Sequence, residues 1–203
     1  GEAWVLDSDG ATVIREKLNG SPQKCRISPE GTWCAFEIRD TSNHLALLVY
    51  DVRNGNRYSL NPPNGWDNFA FEPKAPVLLL NLQQAVFRYS VEGEWLNKEE
   101  FSGNILNDDT SVSEIVYNMK WLMTAAPEYF YGMQGLIEKA LNIPEDALVE
   151  TEKRMLSYLI RKIGEHYQAQ GQTNQAIGAY NRALALYDKV GVKRKLQQLQ
   201  NEG

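Results

Sequence analysis

Two cysteines, two histidines and two pairs of neighbouring carboxylates are the residues of this 203-residue sequence whose types and spacing bear on covalent or acid–base chemistry. Cys25 and Cys34 flank the Ser28-Pro29-Glu30-Gly31 turn on either side, which would set them face to face across a hairpin. There they would form either a redox disulfide or, the plainer expectation, two reduced core thiols. His44 stands in a polar loop and His166 inside an apolar-periodic segment; neither has a partner at metal-ligand spacing, so both read as structural or solvent-facing. Asp7 and Asp9, like Asp108 and Asp109, adjoin a turn or a helix start, and turn or capping chemistry accounts for them. There is no Gly-rich phosphate loop, G-x-S-x-G elbow or H-E-x-x-H helix. The expected set of catalytic residues is empty, as is the metal set. No cofactor is expected, and an enzyme is not.

The cations are unevenly spread. Residues 106–150 carry two basic and eight acidic side chains, net −6, and residues 151–203 carry nine basic and four acidic, net +5, within an overall charge of −5. Lys189, Lys193, Arg194 and Lys195 form a local basic cluster. In an acidic chain without a recognised nucleic-acid module, this argues for complementing the preceding helix end and the acidic 106–150 segment rather than for binding nucleic acid.

A content of 43% hydrophobic and 23% charged residues is that of an ordinary globular protein. The longest apolar runs, 45–50 and 75–80, fall far short of the ~20 residues a membrane span needs, so no membrane association is expected. Two cysteines are too few for a disulfide scaffold, and a reducing, cytoplasmic compartment follows as the plainer reading.

The elements that must carry these residues fall into two blocks, an α+β organisation. Residues 1–105 read as an antiparallel all-β module: short apolar or alternating runs at 4–6, 33–36, 45–52, 77–82 and 86–91 are separated by Asp9-Gly10, Pro29-Glu30-Gly31, Asn54-Gly55-Asn56, Pro62-Pro63-Asn64-Gly65 and Glu92-Gly93. Three runs, ending in the turns at Gly10, Gly55 and Gly93, place a hydrophobic strand before a glycine turn at intervals of 45 and 38 residues. The stretch Ile27-Ser28-Pro29-Glu30-Gly31-Thr32-Trp33-Cys34-Ala35-Phe36, continuing through Val49-Tyr50-Asp51, resembles the hairpin and following strand of WD40-like and TolB-like β-propeller repeats. A degraded copy begins near Phe69, with Pro73 standing 44 residues after Pro29 and no glycine. Two to two and a half blades do not close a propeller. The block is therefore a fragment of a longer propeller, or pairs with a second copy as a homo-oligomer, or forms a small open sheet or sandwich whose edges are covered by helices.

Residues 106–203 read as helical. Ser111 with Glu114 forms an N-cap signature, and Ile115, Val116, Met119, Leu122 and Met123 share one face. Pro127 opens a second helix carrying Phe130, Met133, Leu136, Ile137 and Leu141; Pro144 opens a long third one over 145–169. The spacing Ile163-Gly164, Tyr167, Gly171, Ala176-Ile177, Tyr180, Ala183-Leu184 and Leu186 over residues 157–190 resembles a tetratricopeptide repeat, followed by a capping helix over 192–200. Small Gly164, Ala176 and Ala183 would let two helices approach, with Tyr167 and Tyr180 filling the gaps beside them. No second clear copy precedes it, and a lone repeat must bury its faces on another part of the chain or on a partner.

The resemblance implies a groove lined by Tyr158, Arg161, Glu165 and Gln168, with Arg161 and Lys162 as candidates for holding an acidic peptide. Carboxylate-binding members of that family commonly carry asparagine where this chain has Glu165. The function expected is that of a non-catalytic adaptor or scaffold that presents this groove to a peptide or protein partner. The alternative is the terminal portion of a larger propeller-containing sensor or regulatory protein, with structural helices.

Overall fold

In a computed structural model of the chain, residues 2–6, 9–42, 44–62, 66–82 and 85–202 are described. Two compact units result, Gly1–Asn97 and Lys98–Gly203. The arrangement is α+β: among the described residues, antiparallel strands make up the first unit and helices the second.

Among the described residues the strand unit contains three antiparallel sheets, each in sequential strand order. The first pairs β1 (Glu2–Leu6) with β2 (Thr12–Lys17); the second is β3 (Ser21–Ile27), β4 (Trp33–Arg39), β5 (Leu45–Asp51) and β6 (Arg57–Leu60); the third is β7 (Asn68–Phe71), β8 (Val77–Leu82) and β9 (Ala85–Ser90). Strands β4 and β5 are apolar along most of their length because both faces are covered. On one face Cys34, Phe36, Ile38, Leu48 and Tyr50 pack with Ala3, Val5, Ile14 and Leu18 into a single core.

The turns repeat physically as well as in sequence. Ser28 N–H donates to Trp33 O, Gly31 N–H to Ser28 O and Val52 N–H to Thr32 O; shifted by 44 residues, Glu72 N–H donates to Val77 O and Ala75 N–H to Glu72 O, while Val91 N–H reaches Pro76 O. The buried Ser28 hydroxyl accepts from both Thr32 and Trp33 N–H and fixes the first turn. Its left-handed residue is Gly31, with φ +69°. In the second turn the left-handed step falls on Lys74, with φ +61°. Ala75 precedes Pro76 and is sterically kept out of the helical region, so the step moves one residue earlier. The Glu30 carboxylate accepts from the Lys74 N–H at 2.7 Å and links the two turns. Asp7 of the first carboxylate pair and the Pro63-Asn64-Gly65 part of the fourth turn lie outside the described residues.

The helical unit begins at Lys98. Helix α1 (Lys98–Leu106) occupies residues that the strand reading covers, and buries Phe101 and Ile105 one turn apart. In α2 (Val112–Ala125) the Ser111 hydroxyl accepts from Glu114 N–H, and Ile115, Val116, Met119 and Leu122 are buried as their spacing predicts. The helix expected from Pro127 onward is two: α3 (Pro127–Gly132) and α4 (Gln134–Asn142) are separated at Met133, whose φ of −106° and ψ of 95° are extended. Glycines 132 and 135 flank the break and weaken helix propagation across it. The long helix expected from 145 is likewise interrupted. Pro144 caps only a 3-10 turn over Glu145–Ala147, Leu148 is extended and buried, and α5 (Glu150–Ala169) starts where the Glu152 carboxylate accepts from Val149 N–H.

Helices α5 and α6 (Thr173–Leu186) form an antiparallel hairpin turned at Gly171, whose φ is +72°. Close approach has a chemical basis at each level of the pair. The fully buried Ser157 hydroxyl donates to Ala183 O at 2.8 Å, Gly164 faces the Tyr180 ring, and Tyr180 OH donates to the Gln168 side-chain oxygen at 2.8 Å. Helix α7 (Lys193–Glu202) packs on α6 with Leu196 and Leu199 turned inward.

Candidate functional site

Every side chain singled out for partner binding lies on α5, and the helix hairpin decides what each can do. Tyr158 is 39% exposed and leans on Tyr187, ring centroids 6.2 Å apart. Gln168 is engaged with Tyr180 OH. Arg161, Lys162 and Glu165 come together as ion partners: Arg161 Nε lies 3.0 Å from Glu165 Oε1 and Lys162 Nζ 3.0 Å from Oε2. A third cation arrives from a different helix, Lys195 Nζ at 2.8 Å from Glu165 Oε1. Arg161 also donates through Nη1 to Val190 O at 3.1 Å, which ties the segment before α7 to α5.

Three cations therefore share one carboxylate, and the cluster carries a net charge of +2. Burial alone would raise the Glu165 carboxyl; the hydrogen bonds from Lys195, Lys162 and Arg161 outweigh it and bring the group down to about 2. Glu165 is thus an anion at any ordinary pH and holds the cations in place. The Lys162 side chain stays 62% exposed, while that of Arg161 is 30% exposed.

Beside the cluster opens a cleft of about 320 Å³, lined by Met123 and Thr124 at the end of α2, Tyr131 of α3, and Tyr158, Leu159, Arg161 and Lys162 of α5. It brings together three of the five expected residues, Tyr158, Arg161 and Lys162, while Glu165 anchors its cationic rim and Gln168 lies outside the lining. Tyr131 is fixed in the wall by stacking on His166, ring centroids 4.1 Å apart and planes 6° from parallel. That contact answers what His166 does. Burial, and after it the Glu165 charge, raise the Tyr131 hydroxyl above its ordinary value, so it is a neutral hydrogen-bonding phenol. Chemically the cleft offers apolar and aromatic walls with ammonium and guanidinium groups at one edge, a set suited to an acidic side chain next to an apolar one.

Residues far apart in the sequence supply the parts that spacing does not reveal. Met123 and Tyr131 reach the cleft only through helix packing, and Lys195 reaches Glu165 rather than the acidic 106–150 segment its charge suggested. Lys153 does meet that segment, at Glu145, 3.1 Å away. The Asp108 carboxylate pairs with Lys139 at 2.7 Å, its pKa lowered by that hydrogen bond and charge, while Asp109 N–H donates to the Asn107 side chain.

In the strand unit the polar residues settle differently. Cys34 is fully buried, but Cys25 is exposed, so the expected pair of core thiols is one core thiol and one surface thiol. His44 is exposed and faces Asp40, Nδ1 to Oδ2 3.6 Å. Glu37 is a carboxylate the sequence reading passed over: it is 4% exposed in the middle of β4 and accepts from the Trp66 indole N–H at 2.7 Å. Among the described residues no group of three or more His, Cys, Asp or Glu side chains converges as a metal site would, and no helix is long and apolar enough to cross a membrane. No protein-family model matches the sequence, and no curated protein is significantly similar to it.

Proposed function

We propose that the chain is a non-catalytic adaptor whose helical unit, a tetratricopeptide-like hairpin with its supporting helices, takes an acidic peptide or protein segment into the α2–α3–α5 cleft. The observation that carries this reading is the rim: Arg161, Lys162 and Lys195 gathered on a single Glu165 beside walls of Tyr158, Tyr131, Met123 and Leu159. An acidic segment is drawn by the surplus charge, and an apolar side chain next to the acid fills the cleft. Arg161 serves mainly to hold the rim, since it is already engaged with Glu165 and Val190. Lys162, the more exposed cation, is the group that meets the ligand. The two free thiols go with a reducing, cytoplasmic setting.

Selection from a random peptide library on the immobilised chain tests the reading. Enrichment of peptides combining Asp or Glu with an aromatic or aliphatic residue, lost on Lys162→Glu, is the expected result. Enrichment that Lys162→Glu leaves unchanged, or no enrichment, would overturn it.

A second reading, that the strand unit is part of a larger array of propeller-like blades, is favoured by the 44-residue recurrence of the turn hydrogen bonds. It is favoured also by the outer face of the first sheet, where Trp4, Leu6 and Val13 are 50%, 53% and 41% exposed. These three apolar side chains share the face with the Glu2–Arg15 ion pair, 3.3 Å apart, and a neighbouring sheet would cover them. In this second reading the chain is the terminal portion of a larger sensor or regulatory protein and its helices are structural, so the peptide selection would return no enrichment.

A further inference from the structure

Cys25 and Cys34 stand on neighbouring strands of the second sheet. Cys25 lies opposite Phe36 and Cys34 opposite Ile27, so the two occupy one face on a diagonal, and their sulfurs are 3.6 Å apart. Their surroundings are unequal. Cys25 is exposed, on strand β3 at the end of its sheet, whereas Cys34 is fully buried in the core formed with Phe36, Leu48 and Tyr50. We propose that this pair is a reversible oxidation site in which a hydroperoxide oxidises Cys25 and Cys34 resolves the product to an intrachain disulfide.

The asymmetry assigns the roles. Only Cys25 is open to an oxidant from solvent. The Cys34 thiol, as hydrogen-bond partner, lowers the Cys25 pKa, and the Arg26 guanidinium lowers it further against the effect of burial; the Cys34 thiol itself is pushed up by the same contact and by burial. Cys25 is thus the better nucleophile. Its thiolate sulfur attacks one peroxide oxygen; the S–O bond forms, the O–O bond breaks, and the departing alkoxide or hydroxide takes up a proton. This leaves Cys25 sulfenic acid. The Cys34 sulfur then attacks the Cys25 sulfur, the S–S bond forms, and the hydroxyl leaves with the Cys34 thiol proton as water. Cys25 and Cys34 are oxidised by two electrons in all, and the hydroperoxide is reduced to alcohol or water.

A disulfide needs its sulfurs at about 2.05 Å, so the two strands must draw together locally. Strand β3 has a neighbour on one side only within its sheet, and its register to β4 already shifts between Pro22 and Lys24. On its other side β3 is held by side chains, Lys24 Nζ to Asp67 O at 2.6 Å and Arg26 to Asn68 at 3.3 Å, rather than by a ladder of backbone hydrogen bonds.

The folded wild-type chain is treated with a slight excess of hydrogen peroxide, quenched by alkylation under denaturing conditions, and its peptides are mapped without reduction. Simultaneous loss of both free thiols, a Cys25–Cys34 cross-linked peptide within one chain, and recovery of both thiols with dithiothreitol are expected. Sulfinic or sulfonic Cys25 beside an alkylated Cys34, a Cys25 bridge between two chains, or no loss of thiols would overturn the proposal. In Cys34→Ala, dimedone should trap a Cys25 sulfenate that the wild type does not accumulate; equal trapping in both would contradict the resolving role. Because the mapping uses the wild-type chain, it decides the matter even where the buried substitution disturbs folding.

Discussion

Gly164 faces the Tyr180 ring so closely that a Cβ on Gly164 would stand 2.6 Å from the ring carbon Cε1. The ring has no room to retreat, since Tyr180 is fully buried and its hydroxyl is held by Gln168. Gly164→Ala should therefore push α5 and α6 apart and cost about 1–3 kcal/mol, the usual range for overpacking a well-filled core. Gly178 on α6 has nothing within 4 Å of its own would-be Cβ. Gly178→Ala should stabilise by about 0.5–1 kcal/mol through helix propensity alone. Urea unfolding followed by the helical circular dichroism band checks both. Shifts of the same sign in the two variants would contradict the packing account.

Acid should loosen the cationic rim. The Glu165 pKa is lowered from 4.5 to about 2 in the folded chain, so its contribution to stability is fully present above about pH 4.5 and is lost as the pH falls toward about 2. Glu165→Gln should be less stable than wild type at neutral pH and should show a smaller fall in stability across that window. Thermal midpoints measured from pH 6 down to pH 2 give the comparison. Parallel curves for the two proteins would show that the cations do not depend on this carboxylate.

In the strand unit, Trp66→Phe removes the indole donor and leaves the buried Glu37 carboxylate without that hydrogen bond. A loss of about 1–3 kcal/mol is expected, the cost of stranding a buried polar group. Glu37→Gln keeps an acceptor for the indole N–H and should cost less. Denaturant unfolding read on tryptophan fluorescence for Glu37→Gln, and on near-ultraviolet circular dichroism for Trp66→Phe, orders the two. A Glu37→Gln loss equal to or larger than that of Trp66→Phe would contradict the account.

The sequence made local structure legible wherever one short signal decides it. Ser111 with Glu114 marks the start of α2, Gly171 the turn between α5 and α6, and Pro29 with Gly31 the hairpin between β3 and β4. Legibility failed where competing local signals meet. Glycines on both sides of Met133 split a helix that its apolar spacing had joined, and the extended Leu148 split another. Short strands such as β6, Arg57–Leu60, carry too few apolar residues to alternate visibly. At the cleft, Tyr158, Arg161 and Lys162 were legible through the resemblance of the α5 spacing to a tetratricopeptide repeat. Met123, Tyr131 and Lys195 were not, because they join the site through contacts between helices that no local pattern encodes. The pairing of Arg161 and Lys162 with Glu165 is local, at i+4 and i+3 on one helix, and was open to the spacing of α5; only the third cation, Lys195, comes from another helix.

Salt offers a further check on the rim. Affinity of the chain for an acidic library-selected peptide should fall steadily as ionic strength rises, because the rim cations are partly exposed and screening acts on them over about 10 Å at 0.1 M. Charge reversal at Lys162 should weaken binding on the order of tenfold and flatten that dependence. Fluorescence anisotropy with a labelled peptide reads both. Tight binding insensitive to salt and to Lys162→Glu would mean that the cations do not meet the ligand.

The most direct measurement is a nuclear magnetic resonance titration of the labelled chain with the tightest such peptide. Binding in the cleft predicts shift changes concentrated at the Met123 methyl, Tyr131, Tyr158, Leu159 and Lys162, with the Lys162→Glu variant showing them only at much higher peptide concentration. Shift changes centred on the strand unit, on the exposed face of β1 and β2, or nowhere at saturating peptide would contradict the assignment of this cleft as the partner-binding site.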